Sequence, residues 1–194
     1  MVNVQSENAV SSRYILQDKL AEGGMGVVYL ATDRLTGDTV ALKQVKLGPA
    51  DFGSSTTTLA DSLDAKNTLA QEFRSIASIR HPNIISVLDY GFLSDGSPFF
   101  TMDYLDDFQD FFEGGVDKSV LEKVDLLIEL LNTLEYLHRR GLLHRDIKPG
   151  NVAIYQEAVK ILDFGLSADK EAFQTDDDNM QIVGTLAYMA PEVL

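Results

Sequence analysis

At 194 residues with 45% apolar content, the chain can bury one substantial core or two small lobes, and a formal net charge of −14 argues against DNA or RNA as its main partner. With no cysteine it has no disulfide, no thiolate nucleophile and no zinc–thiolate site, which suits a reducing compartment. No window approaches the ~18 unbroken apolar residues of a membrane span, and the first 12 residues lack a signal-peptide pattern, so a cytoplasmic protein is expected.

Residues 1–12 read as a flexible tail, and Tyr14-Ile15-Leu16 opens the first strand. Between Leu20 and Leu30 a glycine cluster, Gly23, Gly24 and Gly26, sits among apolar residues. Glycine lets the backbone approach a bulky anion and aim N–H groups at it, as a loop over phosphates must; a ligand-free hairpin turn is the other reading of this segment alone. Thr39 to Val45 reads as a buried strand interrupted by Lys43. That lysine is either a snorkelling edge residue or a cation for the anion under the glycine loop. Gly48 to Thr58, rich in Gly, Ser and Thr, reads as a linker.

Leu69, Phe73 and Ile76 recur at helical spacing between about Asp64 and Ile79. Glu72, beside that stripe, is either on a solvated face or an ion-pair partner for Lys43. His81-Pro82-Asn83 ends the helix as a turn. Ile84–Leu88 and Phe99–Leu105 follow as strands, with a turn at Ser94-Asp95-Gly96-Ser97. Asp106, Asp107, Asp110, Glu113 and Asp117 read as a solvated acidic face. A long helix then runs from Ser119, with Glu122 as its capping-box partner, to Arg140 and stops at Gly141. Val120, Val124, Leu127, Leu131 and Leu134 are expected on its buried side.

The densest chemistry lies at His144-Arg145-Asp146-Ile147-Lys148-Pro149-Gly150-Asn151. Val152–Ile154 and Val159–Leu162 read as two short strands joined by a turn at Gln156-Glu157. That hairpin would bring Asn151 beside Asp163 of the Asp163-Phe164-Gly165 triplet. A carboxamide and a carboxylate oxygen facing each other suit Mg²⁺ carrying a nucleotide's phosphates, which leaves Asp146 for proton work.

With the glycine loop, Val40-Ala41-Leu42-Lys43, the His144 loop, Asp163-Phe164-Gly165 and Ala190-Pro191-Glu192 in this order, the sequence resembles the eukaryotic-like (Hanks-type) serine/threonine protein kinases over about Tyr14 to Leu194. The run Gly23-Gly24-Met25-Gly26-Val27-Val28-Tyr29 most resembles the bacterial branch. The resemblance implies an α+β, two-lobed fold: a β-rich N-lobe with one long helix at residues 13–103 and a partial helical C-lobe at residues 104–194. It implies a signalling enzyme that transfers the γ-phosphoryl group of ATP, with Mg²⁺, to Ser/Thr hydroxyls of protein substrates.

Site residues follow from the same resemblance. Lys43 would grip the α- and β-phosphates while Glu72 orients it. Asp146 would accept the proton of the attacking hydroxyl, Lys148 would neutralise the moving phosphoryl group, and Asn151 and Asp163 would hold the metal. Ala21, Glu22, Gly23, Gly24, Met25 and Gly26 would cover the phosphates. Adenine would lie between Val28 and Ala41 on one side and Ala153 on the other, its edge on the backbone of Asp103 and Leu105 and its back against Met102. Ile76, Leu88, His144 and Phe164 would stack as an apolar spine, which makes His144 a packing residue. Lys148 with Gly184-Thr185-Leu186-Ala187-Tyr188 points to serine/threonine specificity. Arg145 implies an activation segment ordered by phosphate, with Thr175 as a self-phosphorylation site and Thr185 lining the substrate site. Asp176-Asp177-Asp178 would supply part of that charge, or form a solvated acidic loop.

Ala21 stands where the family has its first glycine. The chain also stops at Leu194, so the family's remaining C-lobe helices are absent, and apolar surface on the long helix is expected to be uncovered. Two rival readings are a catalytically weak or inactive kinase-like module that binds nucleotide or scaffolds partners, and a small-molecule phosphotransferase.

Overall fold

The computed structural model describes residues 12–23, 26–46, 73–74, 76–162 and 186–188. The tail at 1–11, the linker, Leu69, Gly24, Met25, Glu72, Asp163, Phe164, Thr175, Asp176 to Asp178, Gly184, Thr185 and Ala190-Pro191-Glu192 lie outside the described residues. The chain divides into two compact units, one formed by residues 1–79 with 86–104, the other by 80–85 with 105–194.

The first unit is an antiparallel sheet of β1 (Tyr14–Gly23), β2 (Gly26–Asp33), β3 (Thr39–Val45), β4 (Val87–Phe92) and β5 (Pro98–Asp103), in the order β1-β2-β3-β5-β4. Opposed residues of antiparallel strands share a face. The pairs Ala31↔Val40 and Tyr29↔Leu42 therefore put Ala31, Val40 and Leu42 on one side, where they form a buried core with Tyr14 and Phe99. The register sends Val28, Ala41, Lys43 and Met102 to the other side. On that second face Phe73, fully buried in a helical turn, stacks on Tyr90 and tilts against Phe100, each with ring centroids 5.5 Å apart. The curl of the sheet brings its two edge strands together through side chains. Arg13 grips Asp33 with Nε and Nη2 and reaches Asp89 of β4 with Nη1, while the Tyr14 hydroxyl donates to Asp89 at 3.0 Å. The Arg13 guanidinium holds the Asp33 carboxyl below the usual carboxylate range.

Two strand boundaries differ from the sequence expectation. β5 runs from Pro98 to Asp103, and β4 begins at Val87, because Ile84 bridges to Ile161 and so belongs with the second unit. Leu88, expected in an apolar spine, falls at a register shift between Val87 and Asp89 and is 47% exposed. Val87 is the buried residue there. The turn at Ser94–Ser97 forms as read: Asp95 Oδ1 accepts from Ser97 N–H and Gly96 takes φ +87°.

The second unit pairs a small sheet, β6 (Gln109–Asp110), β7 (Val152–Tyr155) and β8 (Ala158–Ile161), with helix α1 (Val120–His138). Ser119 caps α1 in a reciprocal capping box with Glu122. At the other end Gly141 takes φ +70°, with Gly141 N–H to His138 O and Leu142 N–H to Leu137 O, the glycine-terminated Schellman pattern. The helix thus ends two residues before Arg140. Its expected buried side is wrong. Val120 is 76% and Leu131 62% exposed, Val124 and Leu127 are also exposed, and Leu134 is half-buried, whereas Leu126, Thr133 and Leu137 are buried. Leu126 packs with Val152, Ile154 and Val159, and Leu130 lies against that cluster. Of the acidic segment, Asp110 caps the turn at Phe112 and Glu113, and Asp106 accepts the Tyr155 hydroxyl.

The His81-Pro82-Asn83 turn forms in this unit. His81 Nδ1 accepts from Asn83 N–H at 3.2 Å, and the ring lies 4.6 Å from that of Tyr136, which carries the Arg140 guanidinium 4.2 Å from its centroid. Burial, then Lys160 of β8 and Arg140 beyond α1, push the imidazole below its usual 6.5, against a weaker pull from Glu129 of α1. The folded ring therefore holds its proton less tightly than the unfolded one. Stability should be complete above that usual value and decline as pH falls below it toward the lowered one. Urea midpoints measured between about pH 7.5 and 5.5 should show this decline, and His81→Gln should flatten it.

Candidate active site

The site in the second unit is built outward from the β7–β8 hairpin. Gln156 and Glu157 both take positive φ, 51° and 63°, as a two-residue turn between right-twisted strands requires, and the hairpin forms where the sequence put it. Just before it, Pro149–Asn151 makes a single 3₁₀ turn with proline at its first position. Leu162 N–H then donates to Asn151 O at 2.9 Å, so the residue before Asp163 is bonded to Asn151. Asp163 itself lies outside the described residues.

Upstream, the loop folds back on the same point. His144 is 2% exposed, and its Nε2 lies 2.7 Å from Leu162 O, so Nε2 carries the proton and Nδ1 faces Asp146 N–H at 3.4 Å. A ring held between two backbone groups is an anchor, in keeping with a packing role. Arg145 takes φ +65°, a left-handed conformation that an arginine adopts only where its neighbours are fixed.

Asp146 is 5% exposed. Asn151 Nδ2 donates to its Oδ2 at 2.9 Å and to its backbone O at 2.7 Å, and Lys148 Nζ lies 2.7 Å from the same Oδ2. A buried carboxylate is tolerable only with such charge-assisted donors. The set fixes the direction of the Asp146 carboxylate, one condition for accepting a proton. Because the Asn151 amide nitrogen is committed to Asp146, its oxygen end is the one suited to a hard cation such as Mg²⁺. Among the described residues no cluster of three or more His, Cys, Asp or Glu could hold a metal ion. A mixed Asn–Asp pair would not form such a cluster.

In the first unit, Lys43 is 6% exposed in the middle of β3, on the same face as Val28, Ala41 and Met102. Glu72, its expected partner, is outside the described residues. Ala21, Glu22 and Gly23 are exposed at the end of β1, and Glu22 bonds Lys19 and Lys46 at 3.0 Å each, so both lysines lower its carboxyl's proton affinity. β1 and β2 pair up to Gly23↔Gly26, which confines their connection to Gly24-Met25. Asp103 N–H is taken by Ser86 O, and Leu105 is half-buried. Ala153 is fully buried in β7. Sequence reasoning missed Arg13, Asn83 and Glu129. For Glu129 a signal existed, a lone acid in the apolar run Leu126-Leu127-Ile128-Glu129-Leu130-Leu131.

Comparison with known proteins places this geometry. The family described as "Protein kinase domain" matches residues 14–194. The chain is 38% identical over 188 residues to "Cell division control protein 2 homolog 3" of Trypanosoma brucei brucei, covering 94% of this chain and 55% of that protein. It is 32% identical over 192 residues to "Probable serine/threonine-protein kinase PknB" of Bifidobacterium longum, covering 93% of this chain and 26% of that one. A solved structure described as "PpkA-294 apo form" superposes with a TM-score of 0.63 at 24% identity, covering 83% of this chain and 61% of the other, a likeness of fold.

The fold is α+β, and the chain belongs to the protein kinase domain family. It spans about half the length of the first of these relatives and about a quarter of the second. No helix among the described residues is long and apolar enough to cross a membrane.

Proposed function

We propose that the chain carries the phosphoryl-transfer site of a serine/threonine protein kinase, with residues 13–103 as its N-lobe and 104–194 as a partial C-lobe. The observation that carries this reading is the buried Asp146 carboxylate held by Asn151 and Lys148. Asp146 takes the proton from the substrate hydroxyl as it attacks the γ-phosphorus of ATP, and Lys148 offsets the charge on the moving group. Lys43, paired with Glu72, holds the α- and β-phosphates, and residues 21–26 cover them. Mg²⁺, held by Asn151 and Asp163, would neutralise the β- and γ-phosphate oxygens. Val28, Ala41, Met102 and Ala153 give the adenine an apolar slot, and the backbone of Asp103 and Leu105 reads its edge. Protein Ser/Thr hydroxyls are the acceptors, Thr175 of the chain among them, in the cytoplasm.

The relatives named as serine/threonine-protein kinases support the chemistry. Transfer of label from ATP·Mg²⁺ to a generic protein substrate should be detectable, and Asp146→Asn should reduce it by about a thousandfold or more. Equal transfer by both chains would sink the assignment. Nucleotide binding without transfer would favour a non-catalytic module, and transfer to a metabolite alone a small-molecule enzyme.

A further inference from the structure

The outer edge of β8, away from β7, is not left open to solvent or to another strand. Ile161 donates its N–H to Asn83 O at 2.7 Å and accepts from Ile85 N–H at 3.0 Å. One position earlier on that edge, two side chains close around Val159. Its N–H donates to Glu129 Oε2 at 2.9 Å and its carbonyl accepts from Asn83 Nδ2 at 2.9 Å. Asn83 Nδ2 also donates to Glu129 Oε1 at 2.6 Å, so both carboxylate oxygens of Glu129 are engaged. A charged side chain within the apolar run of α1 is thereby explained: nothing apolar could satisfy Val159 N–H and the Asn83 amide together.

What lies beyond β8 gives that edge its meaning. Leu162 follows Ile161 directly, bonds Asn151 through its N–H and holds His144 through its carbonyl. Asn151 in turn holds Asp146. A continuous path of hydrogen bonds and one peptide link therefore runs from Glu129 to the carboxylate that would take the substrate's proton.

We propose that Glu129 is a positioning residue: by locking the β8 edge with Asn83 it fixes Leu162, and through Leu162 the placement of Asn151 and Asp146. Its catalytic meaning rests on the kinase reading above; the mechanical link does not. Removing the carboxylate frees two donors at the Val159 edge, and the loosening passes along β8 to the loop instead of staying at the helix.

Amide hydrogen exchange on the nucleotide-free chain tests the link without relying on activity. Glu129→Ala should speed exchange at Val159, Ile161, Leu162 and Asn151 by about ten-fold or more, while β2 and β3 amides keep their native rates. Glu129→Gln keeps a carbonyl to accept from Val159 N–H but sets its amide nitrogen against the Asn83 Nδ2 donor, so it should speed exchange at the same amides by less than Glu129→Ala does. If Glu129→Ala does not fold, Glu129→Asp, with the charge kept but drawn back by one methylene, should give the same pattern. Acceleration confined to Val159, or uniform acceleration through α1 and β8, would overturn the proposal. In the transfer assay Glu129→Ala should lower kcat with little change in the KM for ATP. If the Glu129 variants show this exchange pattern but the native chain transfers no phosphate, the kinase reading is defeated and the positioning role stands.

Discussion

An Asn151→Leu chain is expected to lose about 3 kcal/mol or more of folding stability, seen as a lower urea midpoint at unchanged slope. The side chains are close in size, so the loss comes from polar groups and not from a cavity. Leucine removes both bonds from Nδ2, one to the Asp146 backbone carbonyl and one to its carboxylate, in a residue that is 5% exposed. The Lys148 ammonium already sits on Oδ2 of that carboxylate. A loss below about 1 kcal/mol would show that water reaches Asp146 freely, and the case for a desolvated, aimed carboxylate would fail with it.

Gly26→Ala should be nearly as damaging, at roughly 2–4 kcal/mol, while Gly23→Ala should stay within about 0.5 kcal/mol. Gly26 takes φ +143°, a conformation that side-chain-bearing residues rarely adopt. A Cβ there would run into the Gln44 carbonyl oxygen and lie 3.1 Å from its carbon and 3.2 Å from Val45 Cα. These are backbone atoms of the paired strand, so β2 and β3 would have to part at Gly26↔Val45. Around Gly23 a Cβ would meet nothing within 4 Å. Thermal or urea unfolding of the two variants side by side checks the contrast; similar losses in both would mean that the cluster's role is general backbone freedom. The two glycines therefore answer different needs, one to let β2 lie against β3, the other to leave the rim of the loop bare.

Where the sequence spoke clearly, short-range chemistry was the reason. Gln156-Glu157 between two β-branched runs, Ser119 three residues before Glu122, and Gly141 after a helical stretch each define a local geometry that their own neighbours complete. Three misreadings share the opposite cause. Helix α1 is apolar at so many positions that two stripes compete, and the period alone cannot say that Leu126 and Leu137 face the sheet while Leu131 faces out. Leu88 was displaced from the core by a register shift, which depends on its pairing with β5. Ile84 and Ile85 look like the start of β4, yet they bond Ile161, 76 and more residues later in the chain. The loop from His144 to Asn151 was legible as a motif. The bonds that hold it, from Leu162 and from the Glu129–Asn83 pair behind Val159, were not, because each joins residues whose closeness only the folded chain creates.

The short stretch Arg80–Ile85 also decides how this protein can be cut. It leaves the first unit, completes the rim of β8 and returns, so the second unit is not a continuous piece of the gene. A clone beginning at Leu105 would expose the Val159 carbonyl and the N–H and C=O groups of Ile161, and would be expected to aggregate through them. Supplying a peptide spanning residues 80–85 in trans is the natural way to rescue it.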